Sequence, residues 1–277
     1  MPGSPGAAAL VCSRVTVTVP TASGELTLLR DLDVSLGERR VAVLGLNGSG
    51  KSTLLRLFNG LVRPSSGTVT VHGTDVTRDV RAARRRVGFV FTDPLSQLVM
   101  PTPVEDVELS LRGAGVPRAR RRTAALELLE RAGIGHRAEH SIYDLSGGER
   151  QLAAFAAVLA VEPEVLVLDE PTTLLDLRNR GRLMGLLDGL PHQLLISTHD
   201  LGLAATAPRV LVLHEGALVA DGPPGEVVPA YERWCAHGFP GEARPLAGAR
   251  TSSAATPPAP APCTAPRSGS RGSASSP

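Results

Sequence analysis

The sequence predicts an α/β fold: a parallel sheet alternating with helices, an antiparallel β piece ahead of it, and an inserted helical subdomain. Three observations carry that expectation. All-apolar runs at 41–44, 165–168 and 194–196 alternate with helical segments, as the strands of a buried parallel sheet do. Short β-rich runs (VTVTV, LTLL, LDVSL) lie near the amino terminus between the turn residues Pro20, Gly24 and Gly37. From Pro94 to Arg150 the pattern changes to Leu and Ala at helical spacing, as in ALELLERAGI, punctuated by Gly113, Gly115 and Gly133.

Taken in order, the runs from Arg14 onward read as antiparallel strands leading into a buried strand, Val41 to Leu44. A helix over Lys51–Phe58 and a strand-like run at 67–73 (GTVTVHG) follow. The helical insert occupies about 95–150. Beyond it, a helix from about Glu149 to Ala160 leads into VLVLDE (165–170), and another from about Leu177 to Leu190 leads into LLISTHD. VLVLHEGALVADG reads as a closing hairpin. Residues 241–277 are dominated by Ala, Pro, Ser and Gly, a composition that buries too little apolar surface to offset the entropy of ordering. A disordered tail is expected there and a flexible terminus over 1–13, leaving 14–240 as the folded domain.

Composition narrows the function classes. A net charge of +2 over 277 residues gives little basis for nucleic-acid binding, and the arginine runs at 84–86 and 120–122 lack interleaved aromatics, so they read as solvated helix faces. The longest apolar run, Leu152–Val161, is closed by Glu162-Pro163-Glu164, well short of the roughly 20 residues a membrane-spanning helix needs. No basic residue precedes the small apolar run at the amino terminus, so no secretory leader is expected and the cytosol is the expected compartment. Cys12, Cys235 and Cys263 suit neither a disulfide framework nor a zinc site, and are expected to be reduced.

Of 29 Lys and Arg residues, Lys51 is the only lysine. A compact ammonium on a flexible stem enters a narrow phosphate cradle that a planar guanidinium does not. Lys51 stands in GLNGSGKST, residues 45–53, which fits G-x-x-x-x-G-K-[ST] directly after an apolar strand and at the start of a helix. In that context Gly45, Asn47, Gly48, Ser49 and Gly50 supply a turn whose backbone N–H groups cradle phosphate oxygens. Lys51 reaches the β- and γ-phosphates, Ser52 ligates magnesium, and Thr53 continues the helix amino terminus.

VLVLDE ends a second buried strand in two carboxylates. Asp169 is placed to hold magnesium through a water, and Glu170 to polarise a water for in-line attack on the γ-phosphate. LSGGERQ (145–151) places Ser146, Gly147 and Gly148 at another helix amino terminus suited to an anion. The single γ-phosphate of one chain is already held by the first loop, so two copies are expected to face each other.

This ordered set resembles the ATP-binding-cassette (ABC) ATPases from about residue 14 to residue 225. The phosphate loop comes first, then the signature LSGGERQ, the magnesium strand, TTLLD (172–176) and His199 in STHD. The resemblance implies a P-loop NTPase, RecA-like core with an antiparallel β subdomain and an inserted α-helical subdomain. It also implies ATP and Mg2+ as cofactors, catalytic roles for Glu170 and His199, and Asp176 in the loop where two subunits meet. FVFTDPLSQLVMPT and EPTTLLDLRN look like the ATPases of energy-coupling-factor vitamin and metal importers, most of all the biotin and cobalt branch. The partners implied are an integral-membrane transporter subunit and a membrane substrate-binding subunit. The ATPase would sit at the cytoplasmic face of the membrane, as a homodimer or as a heterodimer with another ABC ATPase.

Two positions depart from the family. Val19 stands where an aromatic residue usually stacks on adenine, which predicts slack base selectivity. Thr92 stands where the family carries a glutamine that approaches magnesium and the membrane partner, while Gln97 follows five residues later. The rival readings are a soluble ABC ATPase acting on nucleic acid or ribosomes, which would need long coiled-coil insertions or a second cassette, and a weakly hydrolysing nucleotide-responsive subunit.

Overall fold

The computed structural model describes residues 9–22 and 24–240. The expected disordered tail, and the expected flexible terminus as far as residue 8, lie outside the described residues. The chain enters on β1 (Leu10–Thr21) and returns antiparallel on β2 (Gly24–Leu36). Residues 10–13 are therefore strand rather than flexible leader, because Leu10 and Cys12 are buried in the core under this sheet. Burial pushes the Cys12 thiol up to about 12, and Cys235 is exposed; both are free thiols. LTLL and LDVSL, read as separate runs, are one strand, β2, whose pairing with β1 shifts register along its length.

β3 (Arg40–Leu44) starts the core and runs into α1 (Lys51–Phe58). Leu54, Leu55, Leu57 and Phe58 of α1 are buried, each contributing about 1.5–3 kcal/mol. β4 (Ser66–Val71) and β5 (Thr74–Asp75) then complete a four-stranded antiparallel sheet in the order β2-β1-β4-β5. α2 (Val80–Arg86) leads into β6 (Val87–Val90). α2 carries Arg84, Arg85 and Arg86 in its last turn, the end that favours positive charge.

The helical insert follows as α3 (Pro103–Gly113) and α4 (Arg118–Arg131), and α5 (Gly147–Leu159) leads out of it. The chain then alternates through β7 (Val165–Asp169), α6 (Leu177–Gly189), β8 (Gln193–Ser197), the short α7 (Leu201–Ala204), β9 (Arg209–His214), β10 (Ala217–Gly222) and α8 (Pro224–His237). The central sheet has the order β10-β9-β3-β8-β7-β6, with every neighbouring pair parallel except the hairpin β9–β10 at the edge. Among the described residues, no helix is long and apolar enough to cross a membrane.

Successive residues of each central strand serve opposite layers. Val165 and Val167 of β7 join the core shared with α1 and the antiparallel sheet, while Leu166 and Leu168 join the core of the helical insert. Val41 and Val43 of β3 face the first of these cores, and Ala42 and Leu44 pack under α8. Burial on both faces explains the all-apolar strands in the sequence. It also fixes the loops at the carboxyl ends of β3, β7 and β8 side by side, the position where open parallel sheets bind ligands.

Candidate nucleotide site

The loop between β3 and α1 bends through Gly45 and Gly50. Gly45 has φ +153, and a Cβ there would lie 2.4 Å from both the Leu213 carbonyl and Ser49 Oγ. Gly50 has φ +104, and a Cβ there would meet Leu29 at 2.8 Å and the Leu28 carbonyl at 2.9 Å. Only glycine fits at either place. The loop thus wraps Lys51, whose ammonium donates to the carbonyls of Gly45 (2.9 Å) and Leu46 (3.1 Å). Lys51 is 6% exposed. Burial lowers its pKa, against the opposing pull of Glu170 and Asp169.

The carboxyl ends of β7 and β8 bring the acidic residues to this loop. The Asp169 carboxylate is 1% exposed and accepts from Ser52 Oγ at 3.0 Å and Ser197 Oγ at 2.7 Å. Glu170 takes a left-handed backbone, φ +52, unusual for a side-chain-bearing residue. Its N–H is held by the Ser197 carbonyl and hydroxyl at 3.1 and 3.0 Å. Strain of about 1–3 kcal/mol is held there by the packed strands, and it aims the carboxylate. Glu170 Oε1 lies 2.8 Å from His199 Nε2 and 3.8 Å from Lys51 Nζ, with Lys51 Nζ 3.4 Å from the same histidine nitrogen.

Lys51, Glu170 and His199 line one cleft of about 440 Å3, whose walls also include Asn47, Gly48, Ser49, Thr53 and Thr92, while Asp169 reaches it through its bond to Ser52. Every phosphate-loop residue expected from Asn47 to Thr53 lines it, and so does His199. A larger cavity of about 720 Å3 between the helical insert and the core, lined by residues such as Leu128 and His192, holds none of these groups.

The signature residues sit elsewhere. None of Ser146, Gly147, Gly148 and Asp176 lines the cleft. Ser146 caps α5, its Oγ accepting from the Glu149 N–H at 3.2 Å while Glu149 takes the Ser146 N–H at 2.8 Å. Asp176 caps α6 by accepting from the Asn179 N–H at 2.7 Å. The two caps are neighbours: a Cβ on Gly147 would lie 3.6 Å from Leu174, and one on Gly148 2.9 Å from Asn179 Nδ2.

Thr92 and Gln97 separate in space. Thr92 lines the cleft and donates to the Asp169 carbonyl at 3.0 Å. Gln97 turns the other way: its Oε1 accepts from the Phe91 N–H at 3.3 Å and its Nε2 donates to the Ala154 carbonyl of α5 at 3.4 Å. Both ends of the Gln97 amide are thus engaged within the chain. Sequence reasoning also missed Leu28, Thr173 and Ser197. Leu28 of β2 lines the cleft where Val19, paired with Leu26, does not. Ser197 is fully buried and binds both acidic residues of VLVLDE. A serine ending the apolar run LLIS was the available signal.

The family description ABC transporter matches residues 29–173. The chain is 45% identical over 207 residues to a putative ABC transporter ATP-binding protein of Deinococcus radiodurans, covering 75% of this chain and 92% of that one. It is 41% identical over 208 residues to the biotin transport ATP-binding protein BioM of Rhizobium etli, with 75% and 92% covered. Among solved structures, cbiO1 of Clostridium perfringens, part of the ABC transporter complex cbiONQ, superposes with a TM-score of 0.70 at 29% identity, covering 83% of this chain and 94% of that one. With its phosphate loop, acidic strand end and histidine converging on one cleft, the chain belongs to the ABC transporter family as an ATP-binding, ATP-hydrolysing subunit.

Proposed function

We propose that this chain is the ATPase of an energy-coupling-factor importer, working as a head-to-tail dimer at the cytoplasmic face of the membrane. It would power uptake of a vitamin or metal ion through an integral-membrane subunit and a membrane substrate-binding subunit. The observation that carries the dimer is the separation of the signature caps of α5 and α6 from the cleft that holds Lys51, Glu170 and His199. A helix amino terminus built to meet an anion, but outside its own chain's phosphate cleft, fits the cleft of a second copy. The importer reading rests on likeness to the BioM and cbiO1 proteins and on the segment from Phe91 to Thr102. Biotin is the solute we favour.

In the cleft, Lys51 and the N–H groups of the loop would bind the β- and γ-phosphates. The residues suit Mg2+, a hard cation that keeps several waters: the Ser52 hydroxyl and the buried Asp169 carboxylate, 3.0 Å apart, are oxygen donors at the phosphate cradle. Mg2+ bound there would neutralise charge developing on the phosphate oxygens. Glu170 would take the proton of the attacking water, with its carboxylate fixed by His199 and Thr173 at 2.8 and 3.3 Å. His199, on the cleft wall, would contact the γ-phosphate. Thr92 replaces the usual glutamine with a hydroxyl tied to the strand that bears Asp169.

Uptake of labelled biotin by cells depending on this chain and its membrane subunits tests the reading. Uptake that stops with Glu170→Gln supports it; uptake indifferent to loss of the chain overturns it.

A further inference from the structure

Asp106, in the first turn of α3, is 4% exposed and makes no contact with the nucleotide cleft. Both of its carboxylate oxygens are used. Oδ1 accepts from the Val99 N–H at 3.0 Å and Oδ2 from the next N–H, Met100, at 3.0 Å. Burying a carboxylate away from a cation is costly. Burial raises the pKa of this one, and the N–H groups of Val99 and Met100 pull it back toward the ionised form. The positive end of α3 favours the charge as well.

The two N–H groups belong to the loop that joins the nucleotide core to the helical insert. Gln97 anchors one end of this loop to Phe91 and Ala154, and Leu98 is buried. The Pro101 carbonyl accepts from the Ile142 N–H at 2.9 Å at the other end. Between these anchors, Asp106 is the side chain that grips the loop backbone. The gripped segment leaves Val99 69% exposed; Leu95, four residues earlier, is 40% exposed, and Tyr143, next to the Ile142 anchor, is 74% exposed.

We propose that Asp106 is a positioning residue for transport coupling: it clamps Val99 and Met100 so that Val99 stands rigidly outward to meet the membrane partner, and it plays no part in ATP hydrolysis itself. The proposal rests on the importer reading above. Carboxylate is required because it is acceptor-only at both oxygens, whereas an isosteric amide would turn a donor toward one of the two N–H groups.

The test pairs Asp106→Asn with Val99→Asp, which alters the outward side chain and leaves the clamp intact. Hydrogen exchange on the full chain should show the Val99 and Met100 amides opening roughly tenfold or more faster in Asp106→Asn, with the α1 amides and ATP affinity unchanged. Val99→Asp should leave that exchange at the wild-type rate. In the complex purified with its membrane subunits, both variants should keep the basal turnover of the isolated dimer within about twofold and lose the stimulation by the membrane partner. Unchanged exchange in Asp106→Asn overturns the clamp. Basal and partner-stimulated turnover falling together in that variant overturns the coupling role in favour of a structural one. A wild-type dimer whose turnover ignores the membrane subunits overturns the importer reading, while the exchange result still decides the clamp.

Discussion

At the scale of single residues, the site is a contest between crowding and charge. Lys51 sits among carbonyls and carboxylates in a space that admits an ammonium, so Lys51→Arg, although it keeps the charge, should reduce turnover by about 10²-fold or more and weaken ATP binding. Isothermal titration with ATP alongside phosphate release measures both; near-normal values would remove Lys51 from the phosphate cradle. Gly45→Ala drives a methyl group into the Leu213 carbonyl and Ser49, and should destabilise the fold by about 1–3 kcal/mol, read as a lowered midpoint in urea. The paired substitutions Thr92→Val and Gln97→Ala should part company. Thr92→Val, beside Asp169 in the cleft, should slow hydrolysis several-fold with little loss of stability. Gln97→Ala should mainly loosen the seam between the loop and α5, by about 1 kcal/mol in thermal unfolding. The phosphate-loop residues were legible in the sequence because glycine spacing states a backbone shape directly. The direction of Gln97 was not, since a glutamine on a loop reads the same whether it faces solvent, a partner or its own helix.

At the scale of elements, caps decide where function meets structure. Ser146 and Glu149 form a reciprocal capping box at the start of α5, and Asp176 caps α6, so residues proposed to meet a partner's nucleotide also hold their own helices. Ser146→Ala should cost about 0.5–2 kcal/mol in stability. Differential scanning calorimetry measures this, and a loss above that range would mean the serine has a further partner within the chain. Strands and helices with strong patterns could be read from sequence: Lys51–Phe58 is helix over the expected residues, and β7 and β8 are the all-apolar strands expected. β6 and α8 were not. β6 is four residues long and follows α2 without a glycine or proline to mark the change, and Pro224 and Pro229 interrupt the helical pattern of α8. α8 persists because Val227 and Tyr231 are buried against β3 and β9, tertiary packing outweighing local preference. The amino-terminal boundary failed for a similar reason. Pairing with β2 and β4 carries the strand back through Leu10-Val11-Cys12, an apolar run separated from VTVTV by Ser13 and Arg14, where the expected boundary fell.

At the scale of the molecule, the central sheet gathers Lys51, Glu170 and His199 at its carboxyl edge, and the caps of α5 and α6 lie at a separate place. The cleft has a carboxylate, a histidine, a lysine and the Ser52 hydroxyl, and the start of α5 does not line it. If a second copy closes over the γ-phosphate, as proposed, hydrolysis should depend on chain concentration with a slope steeper than first order at dilute protein. That dependence disappears in any account where one chain suffices. The most direct measurement is the mass of Glu170→Gln by size-exclusion chromatography with light scattering, with and without ATP and Mg2+. Glu170 is held at the cleft by His199 and Thr173, so the amide should leave nucleotide binding intact and stop turnover. The account predicts a monomer without nucleotide and a stable dimer with ATP and Mg2+. A Glu170→Gln chain that stays monomeric with ATP bound, or that still hydrolyses it, would contradict the head-to-tail site.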